Sequence, residues 1–144
     1  MSSPVRMPEE VREAMVAHAR FTLPEEACGL LAGTAGDDLR MVFCLTNRAR
    51  SRYRFTVDPV EHYRAMQHAE RRGLGVVGVF HSHPTSPARP SPADIAGALD
   101  PEWVYVVVSL ADPATPDVRA YEIRGGGATE RVIEPPSAVA GSPR

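Results

Sequence analysis

The chain has 144 residues, of which 43% are hydrophobic and 24% charged, and its formal net charge at pH 7 is −2. A chain of this length forms one domain and buries about two-thirds of the surface that it exposes when unfolded. This composition excludes wholesale disorder, and the charge provides no basic surface for nucleic acid or anionic lipid. No apolar run approaches the ~18 residues of a membrane span, and the first residues do not resemble a signal peptide. We therefore expect a soluble, cytoplasmic protein with neither a nucleic-acid nor a membrane partner.

Two residue types narrow the chemistry further. All basic residues are arginine, so the chain offers no lysine amine for an isopeptide bond or a Schiff base. Its two cysteines, Cys28 and Cys44, are too few for a disulfide framework and lack the Cys-x-x-Cys spacing. We expect both to be small buried hydrophobic residues.

The first half of the chain predicts a helix, a hairpin and a further strand. Val11, Met15 and Ala19 recur at helical spacing, and a turn rich in glycine and aspartate separates the next two apolar runs. A third run alternates as a half-buried strand does. In order, we expect a helix from 8–10 to Pro24, strands over 27–33 and 40–46 joined by a turn at 36–38, and a strand over 53–57.

The second half continues the alternation of helices and strands. Asp58 is an acidic N-cap, Pro59 occupies the first helical position and Glu61 the third. An apolar run then indicates a strand buried on both faces, and four prolines after it indicate an ordered loop. We expect a helix from 58 to 73, strands over 76–80 and 103–110, a loop over 81–92, a short helix from 91 to 99, and a hairpin of 118–124 and 129–133.

These elements predict a single α/β domain with a mixed sheet, because strands alternate with helices while the hairpins at both ends are antiparallel. We place the domain at residues 1–133. Residues 134–144 read as a flexible C-terminal tail.

Three residues have the types and spacing of metal ligands. His81 and His83 lie two apart at the end of an extended segment, so their rings leave the same face. Asp94 follows in the first turn of the next helix, across a connection that the prolines stiffen. Two imidazoles and one carboxylate make a zinc site with an open fourth position, which is typical of catalysis. The residues predict one Zn2+ per chain.

Hydrolysis at such a site also needs a base and then an acid for the leaving amine. Glu26, at the start of the first strand, is the candidate, although the residues alone do not separate it from Glu25. Ser91 can donate a hydrogen bond to an oxyanion or to a ligand. Ser91 and Asp94 also fit a purely structural interpretation as a reciprocal helix cap, and the two roles are compatible.

The combined spacing resembles the signature of JAMM (MPN+) zinc metallopeptidases, which have a glutamate upstream of His-x-His-Pro and then Ser-x-x-Asp. The resemblance extends over roughly residues 8–133 and implies an α/β sandwich related to the cytidine-deaminase-like folds. It implies that His81, His83 and Asp94 bind zinc, that Glu26 is the base and that Ser91 stabilises the oxyanion. No position is substituted, which argues for an active enzyme. The motif reads Glu26-Ala27-Cys28-Gly29, His81-Ser82-His83-Pro84, Ser91 and Asp94.

Within that family, the short chain is similar to bacterial Mec-type enzymes. These hydrolyse the bond between the C-terminal glycine of a ubiquitin-like sulfur carrier and a newly made cysteine, which releases the cysteine for biosynthesis. The partner implied is therefore a ubiquitin-like sulfur-carrier protein ending in Gly-Gly, its tail added as a strand at a sheet edge. Short connections over 48–53 and 85–89 favour such a small leaving group.

Two alternatives stay open at this point. The same chemistry can cut an isopeptide bond that joins a ubiquitin-like modifier to a protein lysine. A protein of another class, a non-catalytic zinc-stabilised module, would bind a ubiquitin-like partner without cleaving it. The oligomeric state is also open, with a homodimer as one alternative.

Overall fold

The computed structural model describes residues 3–134, which form one mixed eight-stranded sheet with helices on both faces. The strand order is β7-β6-β5-β4-β2-β3-β1-β8, so the predicted α/β class with a mixed sheet is confirmed. The helices are α1 (Glu9–Thr22), α2 (Pro59–Arg71) and α3 (Pro92–Gly97). The strands are β1 (Val5–Arg6), β2 (Cys28–Ala35), β3 (Asp38–Leu45), β4 (Gly75–His83), β5 (Val104–Ser109), β6 (Asp117–Arg124), β7 (Gly127–Arg131) and β8 (Ile133–Glu134).

The pairing of β4 decides where the loop after it goes. β4 pairs antiparallel with β2 and parallel with β5, while β5, β6 and β7 pair antiparallel in turn. Parallel neighbours need a crossover connection, because the chain must return to the starting end of the sheet. The segment between β4 and β5 is that crossover, and it carries α3 past the end of β4.

Each face of the sheet has its own apolar cluster. In β5, Val104, Val106 and Val108 belong to the cluster that includes α1, whereas Tyr105 and Val107 belong to the cluster on the opposite face. This alternation follows from the two-residue period of a strand. The buried residues of α1 are Val11, Met15, Val16 and Ala19, and those of α2 are Ala65 and Ala69.

The predicted helix start before α2 is confirmed. The Asp58 side chain accepts a hydrogen bond of 3.0 Å from the backbone nitrogen of Glu61, and Pro59 is the first helical residue. The predicted stripe of α1 is also confirmed, since Val11, Met15 and Ala19 are all buried.

The predicted strand over 53–57 is wrong. Only Val57 forms a β-bridge, an isolated one with Asn47, and the Tyr53 side chain is 77% exposed. The backbone there bonds to the side chain of Asn47 rather than to a neighbouring strand. Residues 48–57 are therefore a loop, which we call the Asn47-braced loop.

Two other predicted boundaries shift. The loop placed at 81–92 begins after His83, because β4 continues between β2 and β5, with His81 opposite Cys28 and His83 opposite Ser109. The short helix ends at Gly97 rather than at 99.

The two ends of the described chain form two further strands. At two residues each, they are too short for a sequence pattern to predict. β1 pairs in parallel with β8, with Val5 opposite Ile133 and Arg6 opposite Glu134. Glu134, placed in the predicted tail, is thus paired, and the rest of that tail, 135–144, lies outside the described residues. Within residues 3–134, no helix has the length and apolar character needed to cross a membrane.

Candidate metal centre and cleft

β4 and α3 bring the three predicted ligands together. His81 Nε2 lies 3.0 Å and His83 Nε2 3.1 Å from Asp94 Oδ2, and the two imidazole nitrogens lie 3.1 Å apart. Both histidines are buried and Asp94 is partly buried. One ligand atom from each of the three side chains therefore points at one small volume.

This geometry fits a metal ion. Nitrogen and oxygen ligands about 2.0–2.2 Å from a tetrahedral Zn2+ lie about 3.3 Å from one another, close to the separations found here. Three side chains leave a fourth position open, as in catalytic rather than structural sites. Such a donor set also suits the borderline metals that accept imidazole and carboxylate together.

Neighbouring groups orient both imidazole rings. His83 Nδ1 lies 2.8 Å from the carbonyl oxygen of Pro87, which can only accept, so Nδ1 carries the proton and Nε2 presents its lone pair. The His81 ring stacks on Phe55, with centroids 4.6 Å apart and planes 17° apart. Burial lowers the pKa of His81, which favours the neutral ring that binds metals.

Asp94 is aimed by the helix cap that the sequence predicted. Its backbone nitrogen donates to Ser91 Oγ at 3.0 Å, and the Ser91 nitrogen donates to Asp94 Oδ2 at 2.9 Å. Burial alone favours the neutral acid, but the adjacent imidazoles of His81 and His83 and the Ser91 backbone N–H hold the pKa of Asp94 well below its ordinary value. The carboxylate is therefore ionised, as a metal ligand must be.

Glu26 lies immediately before β2 and is 3% exposed. Its Oε1 is buried and has no hydrogen-bond partner among the residues that the structure describes. Burial raises the pKa of Glu26 to about 7, against the opposing effect of His83. A buried carboxylate that is unsatisfied and has a pKa near neutrality marks a candidate functional group. Glu25 does not share this burial.

Glutamine at position 26 is expected to stabilise the metal-free protein increasingly as pH rises. Because the folded protein binds this proton more tightly than the unfolded chain, the contribution of Glu26 to wild-type stability falls between pH 4.5 and about 7. Glu26→Gln removes that loss. As pH rises, the free energy of unfolding of the variant should therefore exceed that of the wild type by up to roughly 3 kcal/mol more than at low pH. Urea titrations at about pH 5 and about pH 8 with a chelator present measure it. An advantage that does not change with pH, or that Glu25→Gln shares, would contradict the buried, raised carboxyl.

Steric crowding explains why a glycine, Gly29, stands three residues after Glu26. A Cβ on Gly29 would lie 2.1 Å from the carbonyl oxygen of Phe43 and 2.4 Å from Cε1 of Phe80. Any side chain there would push β2 away from its neighbours and displace Glu26 at its start.

The two cysteines differ. Cys28 is buried, and burial raises the pKa of its thiol to about 12, so it is the small hydrophobic residue that we expected. Cys44 is exposed, and the expectation that it is buried is wrong. It lies in β3, where its Sγ donates to the carbonyl oxygen of Ala14 in α1 at 3.8 Å while the residue as a whole stays exposed.

Asn47 positions this site, although it belongs to no motif in the sequence. It is 5% exposed, and its Nδ2 donates to the carbonyl oxygens of Glu26 and Arg54, both at 3.0 Å. Its Oδ1 accepts from the nitrogens of Ala49 and Thr56, at 2.9 and 3.0 Å. One side chain thus joins the loop to the start of β2. The local signal was the tendency of asparagine to bond to nearby backbone in turns.

Asn47→Ala is expected to lower the free energy of unfolding by roughly 2–3 kcal/mol, since it leaves several backbone groups without partners. Urea titration measures the loss, and amide exchange should accelerate over 48–57 before the rest of the sheet. The matched control is Gln67→Ala, because within residues 3–134 the Gln67 side chain bonds only to the exposed Tyr63 hydroxyl on α2. Equal stability of the two variants would contradict the bracing role.

A cleft of about 470 Å³ opens beside His81 and Asp94. It lies between the Asn47-braced loop, α3 and β5, and its walls are mostly apolar. Tertiary contacts between distant segments create it, so the sequence carried no direct signal for it. Besides the two ligands its lining includes Leu30, Phe55, Val57, Val79, Leu99, Trp103, Tyr105, Val107 and Ile123, with Arg54, His62 and Asp100 as further polar members.

A family model described as prokaryotic homologs of the JAB domain matches residues 8–124. That span covers most of the chain and includes all five predicted site residues. The chain belongs to the JAB/MPN family. The resemblance to JAMM peptidases is therefore confirmed, whereas the individual roles of the five residues stay predictions.

Three relatives illustrate the likeness. The chain is 38% identical over 121 residues to a CysO-cysteine peptidase of Mycobacterium tuberculosis, covering 83% of each chain. It is 36% identical over 128 residues to a probable TtuB-protein conjugate cleaving protease of Thermus thermophilus, covering 88% of this chain and 81% of that one. A solution structure of a protein from Desulfitobacterium hafniense is 40% identical, with a TM-score of 0.83 and coverage of 90% and 91%. The JAB/MPN fold thus extends over nearly the whole described part.

Proposed function

We propose that this protein is a zinc-dependent peptidase that cleaves the bond after the C-terminal Gly-Gly of a ubiquitin-like sulfur-carrier protein and releases cysteine. The observation that carries the proposal is the convergence of His81, His83 and Asp94, together with a buried, unpaired Glu26 carboxylate that interacts electrostatically with His83 and Asp94. Similarity to a CysO-cysteine peptidase supports this choice of substrate.

The three converging side chains would hold the metal. His81 and His83 would bind through Nε2, and Asp94 through its ionised carboxylate. A zinc ion held there supplies Lewis-acid chemistry, since it lowers the pKa of water and polarises a carbonyl group. The stacking of Phe55 and the Pro87 carbonyl hold the rings in place, so little reorganisation is needed during the reaction.

Glu26 would move the proton. It accepts a proton from the attacking water molecule and then delivers it to the departing nitrogen. A pKa of about 7 suits both steps, because the group is neither too weak a base nor too weak an acid near neutral pH. Ser91 Oγ accepts from the Asp94 nitrogen, which leaves its own proton free to donate to the developing oxyanion.

The carrier's tail would add as an extended strand, though at the Asn47-braced loop rather than at the sheet. The edge strand β7 is separated from β4 by two strands. By contrast, Phe55 stacks on His81, and within residues 3–134 its backbone N–H and C=O have no hydrogen-bond partner. On the other edge, the Arg54 carbonyl oxygen and the Thr56 nitrogen are both hydrogen-bonded to the Asn47 side chain. One edge of this segment is therefore free for strand addition.

A second candidate function has the same chemistry with a different leaving group. Similarity to a probable TtuB-protein conjugate cleaving protease favours cleavage of a ubiquitin-like modifier from another protein. The non-catalytic alternative has less support, because a buried unpaired carboxylate at Glu26 lowers stability without helping a binding module.

Intact-mass analysis tests the substrate directly. The metal-loaded protein is incubated with a carrier bearing Gly-Gly-Cys and, in parallel, with the same carrier joined through Gly-Gly to a protein lysine. We expect the first substrate to lose the mass of one cysteine residue, and a chelator to stop the loss. Faster cleavage of the lysine conjugate would favour the second function, and binding without any cleavage would favour the module.

A further inference from the structure

Arg54 is an exposed arginine that lines the cleft beside the metal centre. It lines the same cleft as His81 and Asp94. It directly precedes Phe55, whose ring stacks on His81, so its Cα lies about 3.8 Å from that of Phe55. Its carbonyl oxygen accepts from Asn47, which fixes the backbone from which the guanidinium extends.

The guanidinium of Arg54 is available for an anion. Among residues 3–134 it forms no ion pair or side-chain hydrogen bond, and Arg54 is the only arginine in the cleft lining that the structure describes. Among the neighbouring charged groups, Arg48 pairs with Asp58 at 3.4 Å, and Asp100 Oδ1 accepts a hydrogen bond from the neutral backbone nitrogen of Glu102 at 2.9 Å. Among the described residues, Arg54 is thus an arginine without an ion pair at the exposed edge of a mostly apolar cleft.

We propose that Arg54 binds the free α-carboxylate of the leaving amino acid, an inference that rests on the proposed function. A cysteine joined through its α-amine to the carrier keeps that carboxylate two bonds from the scissile nitrogen. A guanidinium matches a carboxylate with two parallel hydrogen bonds. A lysine side chain within a protein has no carboxylate at this distance, so Arg54 favours a single amino acid over a protein conjugate.

The test uses two substrates that differ by one charge. The carrier ending in Gly-Gly-Cys is prepared as the free acid and as the C-terminal amide, and kcat/KM is measured for both. We expect wild type to favour the acid by about tenfold, the effect of one charge-assisted pair. Arg54→Gln should lose this preference by cleaving the acid more slowly while cleaving the amide as wild type does. Arg54→Lys should retain part of it, because the charge remains.

Arg52→Gln is the matched control, since Arg52 is an exposed arginine of the same loop that does not line the cleft. It should keep the wild-type preference for the acid. Equal cleavage of acid and amide by wild type, or an equal loss on both substrates in Arg54→Gln, would overturn the role of Arg54 and leave the proposed function standing. If metal-loaded wild type cleaved neither substrate, the proposed function itself would fail, and this inference with it.

Discussion

Replacing Glu26 with glutamine is expected to lower kcat by about 10²- to 10⁴-fold while the fold and the metal content stay unchanged. The amide has nearly the shape of the carboxylate but cannot accept the proton of the attacking water. Because Glu26 is not one of the three converging ligands, metal binding should persist. Intact-mass kinetics on the Gly-Gly-Cys carrier measure the rate, and elemental analysis measures the metal.

Glu25→Gln is the control for that experiment. It changes the neighbouring acid, which is not buried in the site, and should cleave like wild type. Comparing the activities of the two variants also shows which of the two glutamates is the base. Normal turnover by Glu26→Gln, or a large loss in Glu25→Gln, would refute the assignment of the base.

Replacing His81 with alanine is expected to remove metal and activity together. His81 supplies one of the three converging atoms proposed as ligands, and its Nε2 lies within 3.1 Å of both others. Its loss should cost more than the roughly 10–100-fold that removal of an outer partner of a metal ligand costs. Equilibrium dialysis against zinc followed by elemental analysis measures affinity, and the same carrier assay measures activity.

His68→Ala controls for the loss of any imidazole. His68 lies on α2, where its ring contacts Phe43 rather than the three ligands. It should keep one metal ion per chain and full activity, and chelation followed by zinc should restore wild type but not His81→Ala. A His81→Ala variant that still held one tightly bound ion would remove His81 from the ligand set.

The site combines groups that cost stability with groups that hold them in place. Burial of Glu26 without a hydrogen bond and the close approach of the His81 and His83 imidazoles to each other both disfavour the metal-free fold. Asn47, the Ser91 cap and the Pro87 carbonyl offset this by fixing the surrounding backbone. This is the arrangement expected where preorganisation serves catalysis.

Several features depended only on near neighbours in the chain, and the sequence by itself determined them. Asp58 caps α2 through a residue three positions away, and Ser91 and Asp94 cap α3 in the same way. His81 and His83 share a face because strand side chains alternate. The α/β class followed from the same local periodicities, since each helix and strand buries one predictable face.

Other features were decided by the tertiary structure alone, because they require contacts between segments far apart in sequence. Glu26 differs from Glu25 only through burial beside β4 and α3, and the alternation over 53–57 belongs to a loop because Asn47 occupies its backbone. β1 and β8, two residues each, are strands because β1 pairs with the distant β3 and the two ends of the described chain pair with each other. The cleft and the unpaired charge of Arg54 arise in the same way, since no local pattern states which side chains will face one another after folding.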